Sequence, residues 1–369
     1  MKFAVEIPEE MIPDNNFASV LFSNLEVYLN HELITSKSSD SDYPITNFLF
    51  FREGFNNESA KHAFVTEGYF SDYNRDLENF TDSKGDISIP GATHIAERRA
   101  YAEESQRNGV KYYRYYLTCA INHGLARQDK PLPSGIPITL VFNRAKAAKS
   151  LIQIAAQRSG SDYKYEHESV PLITPLLECY FVDSVKAENF YKKTKLYDIS
   201  VPFLDTQLRR ELLTEGIGEF SIKLHEGLAP AVYMLGFQSP DRFDGKFNLS
   251  SLKFVNPNIL SLEMCVDGTP ISHHPLKVIN NDTMLFYTNY LKTTNRWQNY
   301  LSTGGLEKIA FDLYNFIIFA NLKQEGIQSG QITLNLKFNQ ALTEKLLLLY
   351  CPVIEKRLIF DSYQNVSVQ

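Results

Sequence analysis

A short stretch that occurs twice constrains this chain more than any other feature. Residues 329–341 read SGQITLNLKFNQA and residues 134–145 read SGIPITLVFNRA, so the Ser-Gly, Ile-Thr-Leu and Phe-Asn-x-Ala groups recur in the same order. In the later copy Ile332, Leu334 and Leu336 alternate with polar residues, which is typical of a strand with one buried face. The copies begin slightly more than half a chain length apart. This spacing indicates an internal duplication.

The segments around the two copies also repeat. Each copy follows a helix-like segment and a strand, and each precedes a Leu-Leu-x-x-Tyr run. The helix-like segments are residues 92–106 and 283–301, the strands are residues 112–121 and 309–321, and the Leu-Leu-x-x-Tyr runs begin at Leu176 and Leu346. Helix, strand, Ser-Gly strand and Leu-Leu strand, found twice in order, predict a duplicated all-β unit.

Length and composition agree with this interpretation. A chain of 369 residues favours two domains, each large enough to bury its own core. Its 25 Phe and 21 Tyr, against one Trp, favour strands because aromatic side chains pack well on pleated sheets. The net charge of −6 argues against sequence-independent binding of nucleic acid through the whole surface.

The duplication divides the chain into four predicted segments. An N-terminal arm covers residues 1–16, the first unit covers residues 17–193, the second covers residues 194–360, and a polar C-terminal tail covers residues 361–369. We place the boundary near Lys193, within a lysine-rich joint.

Local patterns add detail to the two units. Residues 45–52 are predicted to form a buried strand and residues 206–213 a helix. Residues 259–267 are predicted to form a strand that ends in a hairpin-type turn at Asp267-Gly268. The residues expected on the core face of that strand are Leu260, Leu262, Met264 and Val266.

A search for catalytic and ligand-binding motifs leads to no predicted site. The chain has no phosphate-binding glycine loop and no Gly-x-Ser-x-Gly elbow. His273 and His274 are adjacent, so on an extended chain they would point to opposite sides, unlike the ligands of a cupin-type metal site. Asp241 and Asp244 lack the regular run of oxygen ligands that calcium needs, and a turn is favoured there. We therefore predict no catalytic, cofactor-binding or metal-binding residue, no cofactor, and no enzyme activity.

Two further groups of residues are interpreted structurally. The basic run Arg144, Lys146 and Lys149 is expected to be a solvated face rather than a phosphate contact. The cysteines lie far apart in strand-like segments, so we expect reduced thiols in strands or in the core. They are Cys119, Cys179, Cys265 and Cys351.

Targeting signals are not expected. The first ten residues carry three glutamates and no apolar core, so they do not read as a secretory signal. The longest apolar runs, around residues 316–320 and 346–350, are too short to span a bilayer.

An ordered set of motifs in the second half resembles a known family. The motifs are YMLGF at 233–237, FDGKFNL at 243–249, LKF at 252–254, LEMCVDG at 262–268 and IAFDL at 309–313. This set resembles the major capsid proteins of Polinton (Maverick) elements, their viral relatives and homologues encoded in invertebrate genomes. In that family a strand ending in Gly-Phe precedes a Gly-x-(Phe/Tyr)-x-Asn loop, a strand ending in Val-Asp-Gly, a helical region and a Phe-Asp-Leu strand. The resemblance covers residues 220–360.

The resemblance implies a fold and a role. Family members are all-β and carry two consecutive jelly-roll β-sandwiches, a double jelly roll, with short helices in the loops. Three chains form a homotrimeric capsomer with six similar walls, and capsomers tile an icosahedral capsid. The implied partners are the other two chains, neighbouring capsomers and a vertex (penton) minor capsid protein, while encapsidated DNA is contacted only indirectly. The implied location is the virion, with synthesis inside the host cell.

Two other classes of protein remain open at this point. A jelly-roll spike or vertex protein, or a glycan-binding module, would use the same fold, although a vertex protein would normally need one jelly roll. A metal-dependent bicupin enzyme would need clustered histidines on strands, and the eight histidines of this chain are scattered.

Overall fold

The computed structural model describes most of the chain. The described residues are 1–35, 42–49, 65–68, 70, 92–121, 123–127, 132–133, 135–154, 165–179, 189, 192, 198–271, 276–278, 282–294, 308–313, 315–323, 325–361, 363 and 365–369.

Among the elements whose bounds are described, the first half contains nine strands, three α-helices and three short 3₁₀ helices at Val65–Glu67, Gly124–Arg127 and Ala147–Lys149. The strands are β1 (Lys2–Pro8), β2 (Met11–Pro13), β3 (Phe22–Leu29), β4 (Glu32–Leu33), β5 (Ala102–Arg107), β6 (Val110–Thr118), β7 (Ile138–Arg144), β8 (Leu151–Gln153) and β9 (Ile173–Leu176). The helices are α1 (Phe17–Val20), α2 (Asp42–Thr46) and α3 (Ala92–Arg99).

The described part of the second half contains eleven strands and three helices. The strands are β10 (Ile199–Thr206), β11 (Arg209–Leu213), β12 (Glu219–Leu228), β13 (Val232–Gln238), β14 (Ile259–Val266), β15 (Thr269–Pro270), β16 (Leu276–Lys277), β17 (Ile317–Asn321), β18 (Ser329–Phe338), β19 (Leu346–Phe360) and β20 (Val366–Val368). The helices are α4 (Pro240–Asp244), α5 (Met284–Thr293) and α6 (Lys308–Leu313).

The strands of the second half, the second unit, form a jelly roll. One sheet has the order β10-β19-β13-β17, with β11 and β20 also paired to β19, and the other has the order β12-β18-β14-β15, with β16 paired to β14. The long strands alternate between the two sheets along the chain, which is the winding of a jelly-roll sandwich. The apolar side chains of the two inner faces pack together as the core.

The strands of the first half, the first unit, repeat part of this pairing. Strand β1 pairs antiparallel with β6 and β9, as β13 pairs with β17 and β19. Strand β3 pairs antiparallel with β4 and β7, as β14 pairs with β15 and β18. The prediction of an all-β fold with two jelly rolls and short helices is confirmed.

The duplicated stretch occupies equivalent strands. Ile138 lies opposite Leu29 in the first unit, and Ile332 lies opposite Val266 in the second, so the two Ile-Thr-Leu runs share one register. The residues after Leu29 and Val266 enter a tight turn with positive φ, at Asn30 (48°) and Asp267 (49°). Such a turn is the type I′ hairpin connection that both strands need.

A β-bulge also recurs at the same place. In β3 the register shifts between Phe22 and Asn24, and in β14 it shifts between Ile259 and Ser261. Because bulges bend and twist a strand at a fixed position, their repetition supports duplication independently of the side chains.

Two details of the predicted alignment are wrong. Phe142 lies opposite Leu25 whereas Leu336 lies opposite Leu262, so the Phe-Asn-x-Ala groups are displaced by two residues. The Leu-Leu-x-x-Tyr runs lie at opposite ends of their strands. Leu176 is opposite Lys2 at the start of β1, but Leu347 is opposite Gln238 at the end of β13. Ser134 and Tyr180 lie outside the described residues.

The predicted N-terminal arm and C-terminal tail are both part of sheets. Residues 2–8 form the central strand β1, in which Val5 and Ile7 are fully buried, so the arm prediction for residues 1–16 is wrong. Residues 366–368 pair with β19 as β20, so the prediction of a polar tail over residues 361–369 is wrong for that strand. No described strand pair joins the first unit to the second, and the proposed boundary near Lys193 lies outside the described residues.

Several predictions of helix or strand are also corrected. Residues 206–213 contain strand β11 rather than a helix, because they pair with β19. Residues 45–49 are buried as expected but helical, and residues 308–313, which include the Phe-Asp-Leu run, form α6 rather than a strand. Residues 92–106 divide into helix α3 and strand β5.

The two units share a buried interface. Phe48 of the first unit stacks on Phe254 of the second, with ring centroids 5.9 Å apart. The Gln153 N–H donates to the Phe247 carbonyl at 2.6 Å. One hydrophobic cluster includes buried residues from both units, so they pack as one body.

Candidate functional site

The described residues contain no constellation suited to metal binding. No group of three or more His, Cys, Asp or Glu side chains converges within the described ranges. His273 and His274 lie outside those ranges. Asp241, in α4, forms an ion pair with Lys246 at 2.5 Å, and Gly245, with a φ of 89°, follows the last residue of α4. Asp241 and Asp244 therefore lie in a short helix rather than in the predicted turn.

The basic run of the first unit is more buried than predicted. The Arg144 guanidinium donates to the backbone carbonyls of Val170 and Leu21, and burial lowers the pKa of Arg144. The Lys149 ammonium lies 5.3 Å from the centre of the Phe243 ring, and Lys149 is buried. Only Lys146 is exposed, so the prediction of a solvated face is wrong for the other two residues.

These cations line a polar cavity of about 330 Å³ at the interface between the units. Arg210 of the second unit also faces it, and its guanidinium lies 4.9 Å from the Phe243 ring centre. The carboxylates of Glu168 and Asp244 line the same cavity. Cationic and anionic side chains from both units therefore meet in this cavity, and we interpret it as a polar contact between the units.

Beside this cavity, a buried carboxylate of the first unit accepts hydrogen bonds from the second unit. Asp14 accepts hydrogen bonds from the hydroxyls of Ser250 (2.8 Å) and Ser251 (3.0 Å) and from the Ser251 N–H (2.8 Å). Burial raises the pKa of Asp14. The shift is opposed by the hydrogen bonds from Ser250 and Ser251, by a hydrogen bond from the Asn15 N–H and by the positive charge of Arg98. This contact lies within the predicted arm and has no local sequence signal.

His123 occupies a second contact between the units. Its ring lies 6.1 Å from that of Phe203, and its Nδ1 accepts from the Leu125 N–H at 3.2 Å. Desolvation lowers the pKa of His123, opposed by the negative charge of Asp205 and assisted by the positive charge of Lys356. The neutral imidazole is therefore the form that the folded protein favours.

This lowered pKa predicts acid sensitivity. Below about pH 6.5 the unfolded chain protonates His123 more readily than the folded chain does, so stability falls as pH decreases through that value and is retained above it. We expect the melting temperature of the wild type to fall more between pH 7.5 and pH 5.5 than that of His123→Gln. Equal losses in the two proteins would contradict this assignment.

The cysteines are free thiols as predicted, but Cys179 is exposed and follows the end of β9, so the predicted strand or core position is wrong for it. All four are reduced, with Cys119, Cys265 and Cys351 buried and Cys179 exposed. Burial raises the pKa of the Cys265 thiol. A buried thiol with a raised pKa is a poor nucleophile, so Cys265 is suited to packing.

An apolar groove opens at one edge of the first unit. It encloses about 360 Å³, and its walls include Val27, Leu125, Ile138, Leu140 and Leu177. Ile138 and Leu177 are exposed to 55% and 46%, although both are large apolar residues. The sequence pattern does not predict this surface.

No helix in the described part of the chain is long and apolar enough to cross a membrane.

Comparison with known proteins relates the whole fold to viral proteins. No family model matches the sequence, and no curated protein matches it. The structure is similar to that of PBCV-1 VP54 fitted into a cryo-EM reconstruction of the virophage Sputnik, with a TM-score of 0.54 and 12% identity over 100% of this chain and 89% of the other. It is also similar to the mavirus major capsid protein, with a TM-score of 0.53 and 10% identity over 100% and 82%.

A third solved structure extends this likeness. The Faustovirus major capsid protein matches with a TM-score of 0.51 and 7% identity, over 96% of this chain and 76% of the other. At such low identity the likeness shows a shared fold. That shared fold extends over both units, so the relation is not limited to one sandwich.

Proposed function

We propose that this chain is the major capsid protein of an icosahedral shell and has no enzymatic activity. The observation that carries the proposal is the duplicated jelly roll, which aligns over nearly its whole length with the major capsid proteins of mavirus and Faustovirus. The motif set of the second unit supports placement within the Polinton/Maverick group. The shell would place the protein in the virion.

The duplication supports a trimeric capsomer. Three chains with two similar sandwiches each present six similar walls, so a closed three-fold oligomer can fill a site with six neighbours. An assembly of this kind buries more surface than a transient contact. Its further partners would be neighbouring capsomers and a vertex protein that closes the five-fold positions, with packaged DNA contacted only indirectly.

Exposed apolar side chains are available for such contacts. The second unit presents Leu212 (48% exposed), Ile217 (44%) and Leu228 (80%) to solvent. Burial of such side chains against a neighbouring chain would be favourable, because it removes apolar surface from water. These residues are the ones we expect to become protected in the capsomer.

The oligomeric state tests the proposal. We expect the purified chain to be a homotrimer at micromolar concentration and neutral pH, with three times the mass of one chain by multi-angle light scattering. A protein that stays monomeric across that range would contradict the proposed function. Electron micrographs separate this proposal from the single-jelly-roll vertex and glycan-binding alternatives, because those alternatives predict no six-walled particle.

A further inference from the structure

The polar cavity between the two units has more cationic than anionic side chains in its walls. The described residues that line it include four cations and two carboxylates. They are Arg144, Lys146, Lys149, Arg210, Glu168 and Asp244. Three of the cations belong to the first unit and Arg210 belongs to the second, so an anion held among them would contact both units.

The charged residues of the cavity differ in their exposure. The exposed ones are Lys146, Arg210, Glu168 and Asp244, which are two of each sign. Arg144 is partly buried and Lys149 is buried. Water and salt screen exposed charges, whereas charges away from water act more strongly on a ligand. The inner wall of the cavity is therefore cationic.

Neutral groups hold the two arginines in place. The Arg144 guanidinium donates to the backbone carbonyls of Leu21 and Val170, and the Arg210 guanidinium lies over the Phe243 ring. These contacts orient both side chains without cancelling their charge. Because a guanidinium has five N–H donors in a planar fork, each arginine keeps donors that can reach an oxyanion.

Phe243 brings a cation from each unit close to the other. Its ring centre lies 5.3 Å from the Lys149 ammonium and 4.9 Å from the Arg210 guanidinium. The close approach of α4 to Lys149 needs the glycine at position 245, where a Cβ would lie 2.6 Å from Lys149 Cγ. Like charges at this separation repel each other, and an anion in the cavity would attract both.

The size of the cavity and its hydroxyl groups suit a small polar ligand. Its volume of about 330 Å³ equals the liquid volume of about ten water molecules. Ser23 and Ser169 also line it, and their hydroxyls can donate hydrogen bonds to an anion. The space admits a compact oxyanion together with some of its hydration water.

From this geometry we infer that the cavity binds a small multivalent oxyanion of the phosphate type, and that the bound anion joins the two units. Arg144 and Arg210 donate to its oxygens from opposite units, and Lys149 adds charge from the buried side. Guanidinium groups favour such ligands because their planar forks match pairs of phosphate oxygens. The inference assigns a ligand to the basic run of residues 144–149, for which the sequence pattern predicts only a solvated face.

Inorganic diphosphate is the probe, added to the full-length protein at constant ionic strength so that general screening does not change. Calorimetry should show saturable binding of one diphosphate per chain. The melting temperature should rise with diphosphate concentration, because only the folded chain brings the cations of both units together. ADP carries the same group on a nucleoside and should bind no more tightly. Tighter binding of ADP would overturn the assignment to a free anion.

Arg210→Gln removes one cation of the cavity from an exposed position, so the variant should fold. Its dissociation constant for diphosphate should be about tenfold higher or more, as the loss of a hydrogen bond to a charged group predicts. Lys146→Gln, at the other exposed cation, should also weaken binding.

Lys337→Gln is the matched control for these two variants. It removes the same charge from the surface of the second unit, where Lys337 pairs with Glu219 at 2.5 Å. Because Lys337 does not line the cavity, this variant should bind diphosphate as the wild type does.

Asp244→Asn tests the opposite sign of charge. It removes an exposed carboxylate from the cavity, so the affinity for diphosphate should increase by about threefold or more as one repulsion is lost. An increase in this variant together with a decrease in Arg210→Gln would locate the anion between the two units.

Three results would overturn the inference. They are the absence of saturable binding at constant ionic strength, an equal loss of affinity in Arg210→Gln and Lys337→Gln, and an unchanged affinity in Asp244→Asn. The inference does not depend on the proposed function, because the affinity is measured per chain whether or not trimers form.

Discussion

Leu262→Ala is expected to lower the free energy of unfolding by about 2–5 kcal/mol, because it leaves a cavity in the second sandwich. Leu262 is 4% exposed in β14, opposite Leu336 of β18. It thus lies in the central part of the sheet that carries the duplicated strand. Chemical denaturation with a two-state fit would measure the loss, and trimer yield should fall with it.

Glu263→Ala is the matched control in the same strand. Its side chain is on the opposite face of the sheet and only partly buried, so we expect a change of about 0.5 kcal/mol or less. If Glu263→Ala proved as damaging as Leu262→Ala, the register of β14 would be wrong.

Asp14→Ala is expected to destabilise the protein by about 2–4 kcal/mol, since it removes the acceptor from buried donors. The Ser250 hydroxyl and the Ser251 N–H and hydroxyl all donate to this carboxylate across the interface between the units. An alanine leaves those groups desolvated without that partner. The loss of this contact should also speed amide hydrogen exchange in residues 250–252. Thermal melting would measure the destabilisation, and hydrogen exchange would detect the local change.

Asp241→Ala controls for the removal of a carboxylate near the same interface. Asp241 pairs with Lys246 on the surface, where an ion pair contributes little, so its replacement should leave melting unchanged. A comparable loss for Asp241→Ala would show that net charge, rather than the buried contact of Asp14, determines the effect.

The duplication was predictable because β18 has one buried face and one solvent-exposed face. Ile332, Leu334 and Leu336 are buried while the residues between them are less so, and that alternation is visible in sequence. Strand β1 lacks this signal. Phe3, Ala4 and Val5 are all buried, because β1 is a central strand that is covered on both faces. Its sequence therefore lacks the alternation of apolar and polar residues, and the prediction for this segment is an arm.

Tertiary pairing explains the other differences. Residues 206–213 contain good helix formers spaced for one helix face, but pairing with β19 makes them strand β11. Phe311 favours strands by propensity, yet it is fully buried in α6. Its ring packs on that of Phe316, and the two ring centroids lie 5.2 Å apart. The difference between a residue's helix and strand propensities is smaller than the free energy gained by burying one aromatic ring. Packing therefore determines the secondary structure of these segments.

The contacts between the units could not be predicted from sequence. Asp14 meets Ser250 across 236 positions, and Phe48 meets Phe254 across a similar separation. Each residue is ordinary in its own segment. Only the relative placement of two sandwiches makes a buried carboxylate and a stacked aromatic pair from them.

Electron microscopy of the purified protein tests the central claim most directly. The claim is that one chain with two jelly rolls assembles as a trimer with six similar walls. Negative-stain class averages should show particles with a hexagonal outline and three-fold symmetry, and shells or hexagonal patches at higher concentration. Monodisperse particles the size of one chain, with neither outline nor lattice, would contradict the account.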